Sequence, residues 1–383
     1  MGEKVVVLFD QLGFGQITLN KVAFTLFGAV EVRWYGILIT LGIVLAFLYA
    51  TWRGKRNEGI ILDDVLDVGL STVICGVVGA RLYYVLTSLD QFPTFWSVFQ
   101  IWNGGLGIYG GIIGGCIGIL IAAKIKKLNW LKLFDMIAPG VMIAQAVGRW
   151  GNFFNGEAYG YAIGNTTRYF FFFKEFEIPS GEGTLFHLFR MGLFPNEYSA
   201  THIVFVHPTF LYECLWNIFG FILINLFYKH KRFNGQVALM YFTWYGFGRM
   251  FIEGLRTDSL YLLGGVVSDA GIRISQLIGL LCFLVGGILL IVFSYRFRKQ
   301  VSDFTTEREL PVRRRMADGS IVEESAVAVI PAEELAEAAT ETDNVDVIEP
   351  SETEPSNDGE DAPQPADTIK EPKMEEPKNG IEN

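Results

Sequence analysis

Long apolar runs separated by short polar connections dominate the first 300 residues of the chain. A helix needs about 20 apolar residues to cross a hydrocarbon layer of about 30 Å. Six runs approach that length, and a seventh is shorter and contains Pro139 followed by Gly140. In order they are 34–52, 65–88, 106–123, 134–147, 208–228, 236–253 and 274–295. This pattern predicts an all-α polytopic membrane protein with seven transmembrane helices, the fourth of them kinked or partly re-entrant.

Basic side chains follow the first, third, fifth and seventh predicted helices. The intervening connections differ, and residues 89–105 contain no Lys or Arg. Lys and Arg accumulate on the cytoplasmic side of a membrane, so we expect the N-terminus outside and the C-terminus in the cytoplasm. The basic residues are Arg53, Lys55, Arg56, Lys124, Lys126, Lys127, Lys132, Lys229, Lys231, Arg232, Arg296, Arg298 and Lys299.

Two segments fall outside the helical pattern. Residues 148–207 are rich in aromatics and glycine and predict a small extracellular cap, whose run 169–174 fits either a strand or an insertion into the headgroup layer. Residues 301–383 carry 23 Asp/Glu against 7 Lys/Arg, whereas residues 1–300 carry 18 against 24. Such an acidic segment cannot bury enough apolar surface to fold. We therefore predict a membrane domain, 1–300, and a disordered cytoplasmic tail, 301–383.

One face of the sixth predicted helix carries four polar side chains. Tyr245, Arg249, Glu253 and Arg256 are spaced at i, i+4, i+8 and i+11, within an arc of about 80°. Buried charge is costly, so a purely structural ladder of ion pairs is the weaker interpretation. Two arginines against one glutamate leave a positive charge, which favours an anionic partner such as phosphate.

A second polar group lies where the fourth helix meets the outside. Arg149, Asn152, Asn155 and Glu157 lie on a glycine-rich stretch that ends at Gly160. An arginine, two amides and a carboxylate can bind a phosphate and hydroxyl groups. The alternative is a snorkelling arginine at a helix end, followed by a turn. The density of polar side chains favours a binding site.

The start of the third helix carries Tyr109 in front of a row of glycines. Glycines at four-residue spacing allow two helices to pack closely, which is the simpler explanation for them. Tyr109 is either an interfacial aromatic residue or a hydroxyl of the site.

The four cysteines lie in apolar stretches, and the histidines follow no metal-ligand pattern, so we predict neither disulfides nor a metal site.

Taken together, six stretches resemble the bacterial prolipoprotein diacylglyceryl transferase family in order over residues 30–296. They are 32–36, 79–82, 109–111, 148–160, 207–209 and 245–256. The resemblance implies seven spans in the bacterial plasma membrane and a site in the outer half, open sideways to lipid. It implies transfer of a diacylglyceryl group from phosphatidylglycerol to the lipobox cysteine of prolipoproteins, with release of glycerol phosphate. No cofactor and no nucleic-acid partner are expected.

The resemblance also implies roles for individual residues. Arg149 binds the lipid phosphate and Arg249 polarises the departing phosphate ester. The catalytic group is Arg249, Tyr109, Tyr245 and Glu253, and the phosphatidylglycerol-binding group is Arg149, Tyr35, Asn152, Asn155, Glu157, Gly160 and Arg256. This chemistry suits the residues, because positive charge lowers the pKa of a thiol from about 8.5 and stabilises the developing phosphate charge.

The proton acceptor is left open by the sequence. Members of the family often carry His at the position of Tyr109, and a tyrosine of pKa about 10 is a poor base at neutral pH. Either Tyr109 only orients substrate, or the proton leaves through Glu157, Glu253, His207 or water.

Two other functions compete with the transferase. Glycine-rich broken helices also mark transporters, and a lipid-binding scaffold is a third possibility. No repeat between the halves of the chain supports transport, and a scaffold leaves the polar stripe without a task.

Overall fold

The computed structural model describes residues 4–27, 30–92, 94–172, 174–194, 203–261, 272–298, 312–315 and 321–324. The helices are α1 Trp34–Arg53, α2 Leu62–Thr87, α3 Ile108–Lys126, α4 Trp130–Asn155, α5 Leu185–Leu188, α6 Thr209–Tyr228, α7 Gln236–Ile252 and α8 Ile274–Arg296. The strands are β1 Lys4–Phe9, β2 Phe14–Asn20, β3 Val22–Leu26, β4 Val30–Arg33, β5 Thr166–Phe171, β6 Lys174–Pro179, β7 Met191–Leu193, β8 Val204–Val206, β9 Val312–Arg315 and β10 Ile321–Glu324.

The seven long helices occupy the seven apolar runs of the sequence. Six of them, all except the 17-residue α7, are long and apolar enough to cross a membrane. Their lipid-compatible faces carry rows of exposed Leu, Ile, Val and Phe side chains. The described part of the chain is therefore a mostly helical, polytopic membrane protein.

The fourth helix is longer than predicted. Instead of a short run over 134–147, α4 has 26 residues and continues through Pro139. A Cβ at Gly140 would lie 2.9 Å from the carbonyl oxygen of Ala46, so α1 packs directly on this stretch and covers the backbone that proline disrupts. The helix ends at Gly156, whose φ is 62°. Residues 148–155, predicted to open the cap, therefore belong to α4.

Helices α2 and α3 pack through glycines, as the spacing predicted. A Cβ at Gly79 would lie 2.9 Å from the Cα of Gly114, and one at Gly118 would lie 2.5 Å from the carbonyl oxygen of Ser71. Backbones approach this closely only where side chains are absent.

Short strands cover the end of α4 and the start of α6, although the sequence predicted an all-α protein. β1 pairs with β2 and β7, and β7 pairs with β8, giving an antiparallel sheet of order β2-β1-β7-β8. β5 and β6 form a hairpin, which favours the strand interpretation of residues 169–174 over insertion into headgroups. Val7 of β1 packs in one cluster with Phe153 of α4 and Phe210 of α6. The sheet thus holds the end of α4 against the start of α6.

The opposite ends of the helices are joined by a buried ion network. The Lys231 ammonium lies 2.6 Å from Oε1 of Glu58 and 2.9 Å from Oδ2 of Asp135. The Asp135 carboxylate also accepts hydrogen bonds from the backbone N–H groups of Gly235 and Ala238, at the start of α7. The α1–α2 and α6–α7 connections are therefore tied to the start of α4 on one side of the protein.

Two short strands lie within the segment predicted as a disordered tail. β9 and β10 pair in antiparallel fashion, with Val312 opposite Glu324. The remainder of residues 301–383 lies outside the described residues, so disorder there stays a prediction.

The close packing of α2 on α3 is tested by two adjacent glycines. A Cβ at Gly114 would overlap the backbone oxygen of Cys75, whereas one at Gly115 would meet the Thr72 methyl at an ordinary 3.5 Å. We expect Gly114→Ala to destabilise the protein by about 1–3 kcal/mol, and Gly115→Ala to be neutral. Thermal unfolding of the detergent-purified variants measures the difference. Equal melting temperatures for the two variants would contradict the packing described here.

Candidate active site

A single carboxylate, Glu213, contacts three guanidinium groups. Its side chain is 4% exposed and lies in the second turn of α6. Oε2 lies 2.5 Å from Nη2 of Arg149, and Oε1 lies 2.8 Å from Nη1 of Arg249 and 3.0 Å from Nη1 of Arg256. The two polar groups noticed in the sequence thus meet at Glu213. We call Arg149, Glu213, Arg249, Glu253 and Arg256 the arginine cluster.

Glu253 completes the buried part of the cluster. Its Oε2 lies 2.6 Å from Nη2 of Arg249 and 3.9 Å from Nε of Arg256. Three arginines against two glutamates leave one positive charge among the buried side chains. The carboxylate of Asp258, which is 47% exposed, lies 2.7 Å from Arg256 at the edge. With Asp258 counted, three carboxylates balance the three arginines, so the surplus positive charge is confined to the five residues of the arginine cluster.

The ends of three helices bring these side chains together. Arg149 lies near the end of α4, Glu213 near the start of α6 and Arg249 in the last turn of α7. Helix α7 ends at Ile252, and a 3₁₀ turn over Glu253–Leu255 carries the chain to Arg256. The predicted helical stripe therefore stops short of Arg256, although the guanidinium of Arg256 still reaches Glu213.

A chain of amide hydrogen bonds extends from Arg149 toward the surface. Nη1 of Arg149 lies 3.4 Å from Oδ1 of Asn152, and the Asn152 amide donates to Oε1 of Glu157 at 3.0 Å. The Asn155 amide donates to the same oxygen at 3.2 Å. The left-handed turn at Gly156 folds Glu157 back over the helix end. Glu157 is exposed and forms the rim of the site.

Gly160 shapes the site through its backbone. Its N–H donates to the carbonyl of His207 at 2.9 Å, and it pairs with Arg256 in an isolated β-bridge. A Cβ there would lie 2.7 Å from the Cβ of His207 and 2.8 Å from the carbonyl oxygen of Leu255. Only glycine allows three chain segments to approach this closely behind Arg256.

Tyr245 lies one helical turn before Arg249 on α7, and Tyr35 is at the start of α1. Arg249, Glu213 and Arg149 are within electrostatic range of the Tyr245 hydroxyl, and its ring stacks on Tyr241 with centroids 5.8 Å apart. The ring of Tyr35 packs on α4, where a Cβ at Gly151 would lie 2.8 Å from it. Both aromatic residues were predicted for the site.

The contacts of Tyr109 are with residues outside the arginine cluster. Its hydroxyl is 3.4 Å from Oγ of Ser275, at the start of α8, and its ring meets Tyr83 at 6.1 Å. Across the residues with described positions, no hydrogen bond or ion pair joins Tyr109 to the cluster. These contacts do not join Tyr109 to the other predicted catalytic groups, and its role in the site stays a prediction.

His207, one of the proton acceptors considered, is enclosed by protein. Its side chain has no exposed surface, its Nδ1 lies 3.2 Å from the Tyr212 hydroxyl, and its ring packs on Phe186. Burial lowers the pKa of His207 to about 4, so the imidazole is neutral at pH 7. Among the residues that the structure describes, no three His, Cys, Asp or Glu side chains are arranged to hold a metal ion.

Two important residues were not assigned to the site from the sequence. Glu213 is the only charged residue of α6, and that isolation inside an apolar run was the available signal. Arg273 is 1% exposed and donates to the carbonyl of Arg256 at 3.0 Å, to the carbonyl of Glu253 and to the Tyr161 hydroxyl. It fixes the turn that carries Glu253, and its only signal was an arginine directly before an apolar helix.

The family model described as prolipoprotein diacylglyceryl transferase matches residues 21–292. The chain belongs to the prolipoprotein diacylglyceryl transferase family. The match confirms the resemblance inferred over residues 30–296. Together with six apolar helices, it makes the protein a multi-pass transferase of the bacterial plasma membrane.

The alignments of this chain with curated relatives cover nearly the whole length of those relatives. Phosphatidylglycerol–prolipoprotein diacylglyceryl transferase 1 of Clostridium perfringens (strain 13 / Type A) is 39% identical over 284 residues, 74% of this chain and 97% of the relative. The Streptococcus pneumoniae protein (strain ATCC 700669 / Spain 23F-1) is 39% identical over 295 residues, 76% and 99% respectively. The Streptococcus suis protein (strain 05ZYH33) is 38% identical over 280 residues, 72% and 93%. The last two carry the same name without the number.

The central position of Glu213 is tested by comparing two carboxylates that share Arg256. Glu213→Gln leaves three buried guanidinium groups with a neutral partner, so we expect a loss of about 3 kcal/mol in the free energy of unfolding. Asp258→Asn removes a half-exposed partner and should cost about 1 kcal/mol or less. Thermal unfolding in detergent measures both. A Glu213→Gln protein as stable as the Asp258→Asn protein would show that Glu213 does not organise the cluster.

Proposed function

We propose that this protein transfers an sn-1,2-diacylglyceryl group from phosphatidylglycerol to the lipobox cysteine thiol of prolipoproteins, the first step of lipoprotein maturation. The observation that carries the proposal is the convergence of Arg149, Arg249 and Arg256 on Glu213 at the ends of apolar helices. A buried cluster with one surplus positive charge fits the phosphate of an anionic lipid.

The arginines retain hydrogen-bond donors for that phosphate. A guanidinium carries five N–H groups. Arg149 directs Nη2 to Glu213 and Nη1 to Asn152, and Arg249 directs Nη1 to Glu213 and Nη2 to Glu253. These contacts fix the planes of both guanidinium groups and leave N–H groups for a ligand. The carboxylates thus orient the arginines in advance, which lowers the reorganisation needed when the lipid binds.

The reaction that we propose is a displacement at carbon. The substrate thiol loses its proton, and the sulfur attacks the glyceryl carbon that carries the phosphate ester. A C–S bond forms while the C–O bond breaks, and the electron pair of that bond leaves on the oxygen of glycerol phosphate. Arg249 and Arg149 stabilise this developing charge, and their positive charge also favours the thiolate. The nucleophile belongs to the substrate.

Glu157 is the proton acceptor that we assign. Glu253 is 1% exposed and paired with Arg249, and His207 is fully buried, so neither side chain is open to an incoming thiol. Glu157 is exposed at the rim, held by the Asn152 and Asn155 amides. Tyr109, beside Ser275 at the start of α8, would orient substrate.

We propose seven spans, with the arginine cluster in the outer half of the membrane. The 17 residues of α7 are about 25 Å long, and the turn that follows adds to this length. The network of Glu58, Asp135 and Lys231 joins connections that carry basic residues, at the helix ends far from Arg149 and Arg249. The positive-inside rule makes that side cytoplasmic. The cap then lies outside, and residues 301–383 form a cytoplasmic tail.

Transfer of labelled diacylglyceryl to a lipobox peptide tests the proposal. We expect label from phosphatidylglycerol to reach a Cys peptide and not the matched Ser peptide. Arg149→Lys and Arg249→Lys keep the charge but lose the forked donors, and each should lower kcat/KM by about 10²–10³-fold.

Arg190→Lys is the matched control, because Arg190 pairs with Asp10 in the cap rather than in the cluster. It should transfer at the wild-type rate. No transfer by folded wild-type protein, or equal rates for all three variants, would reject the proposed reaction or the proposed role of the arginines.

A further inference from the structure

A polar pair links α4 to α7 below the arginine cluster. The amide of Gln145 lies within hydrogen-bond distance of the Tyr241 hydroxyl, at 3.0 Å. Both helices end at the site, so lower residue numbers on them lie deeper. Gln145 is one helical turn, about 6 Å, below Arg149, and Tyr241 is two turns below Arg249. Neither residue has a place in the arginine cluster.

The pair lies between apolar stretches of α4 and α7. Cys116 of α3 and Cys282 of α8 are within electrostatic range of the Tyr241 hydroxyl, so the pair lies on the inner side of the helix bundle. Oε1 of Gln145 is buried and has no hydrogen-bond partner. An acceptor left without a donor at such a depth is costly, which favours the amide turned by 180° so that Oε1 accepts from Tyr241. Polar residues at membrane depth commonly contact a substrate.

The pair is rich in donors whichever way the amide is turned. With Nε2 toward Tyr241, the tyrosine hydrogen and the second amide hydrogen remain to donate. With the amide turned by 180°, the tyrosine donates to Oε1, and both Nε2 hydrogens remain. In each case two hydrogens are left, and the second orientation also satisfies the buried Oε1. A ligand that offers acceptors and no donors fits this pair.

We infer that Gln145 and Tyr241 form a subsite for the ester carbonyl groups of the diacylglyceryl moiety. This inference rests on the proposed function. Ester carbonyls accept hydrogen bonds and cannot donate them. They lie a few bonds from the phosphate, on the side of the acyl chains, and therefore deeper in the membrane than the arginines that hold the phosphate. The Tyr245 ring stacks on Tyr241 and lies between the two levels.

The alternative role of the pair is to join two helices, because interhelical hydrogen bonds also stabilise membrane proteins. If the pair only joins helices, its variants should lose kcat/KM equally for every lipid substrate. An ester subsite predicts selective losses, because only an ester offers the carbonyl oxygen. The preference of the variants for one lipid over the other therefore distinguishes the two roles, whereas a loss of activity alone does not.

The test compares diester phosphatidylglycerol with its 1,2-di-O-alkyl ether analogue of equal chain length, each with the same lipobox peptide. We expect the wild-type protein to prefer the diester in kcat/KM by on the order of fivefold, the effect of about one hydrogen bond. In Gln145→Leu and Tyr241→Phe, the ratio of diester to diether should fall toward one.

Tyr49→Phe is the matched control, since it removes another phenol hydroxyl that bonds between two helices, here to Asn225 between α1 and α6. It should retain the wild-type ratio. If Gln145→Leu does not fold, Tyr241→Phe decides alone, because it removes a single oxygen atom.

A wild-type ratio of one would overturn the ester subsite while leaving the transferase reaction intact. Variants that lose activity equally on both lipids would overturn it too, in favour of the joining role. Absence of transfer from either lipid by folded wild-type protein would reject the proposed function itself.

Discussion

The shared carboxylate of Glu213 is the interaction on which the rest of the site depends. Three guanidinium groups converging at membrane depth would repel one another, and bare cations are costly in an apolar medium. Glu213 bonds to all three, and Glu253 fixes a second edge of Arg249. One positive charge remains within the arginine cluster, and Asp258 lies at its edge beside Arg256. The cluster is therefore stable enough to form in the free protein and still suited to an anion.

Other parts of the fold hold this carboxylate and its partners in place. The sheet packs Phe153 against Phe210, which fixes the end of α4 beside the start of α6. Because Gly160 has no side chain, the segment at His207 packs closely behind Arg256. Arg273 bonds to the carbonyls of Glu253 and Arg256. At the other end, Asp135 accepts two N–H groups at the start of α7. The helix that carries Arg249 is thus fixed at both ends.

Much of this architecture follows from local sequence. Apolar runs located all seven long helices, although the fourth run was shorter than a span, and the spacing from Tyr245 to Arg249 identified one face of α7. The extent of α4 was missed because its last two turns, which include Arg149, Asn152 and Asn155, are too polar to read as a span. The pairing of β1 with β7 was missed because the two strands lie about 180 residues apart, and pairing over that distance leaves no local pattern, whereas the hairpin of β1 with β2 is local and was overlooked. Glu213 needed the fold, since its three partners come from two other helices and a turn.

Direct contact between the lipid phosphate and the guanidinium groups of Arg149 and Arg249 is the central claim. Protein labelled with ¹⁵N-arginine and reconstituted with phosphatidylglycerol allows the ³¹P–¹⁵N dipolar coupling to be measured by solid-state NMR. The account predicts a strong coupling for tightly bound lipid that disappears in the Arg149→Lys, Arg249→Lys double variant. An unchanged coupling in that folded variant would place the phosphate elsewhere and contradict the account.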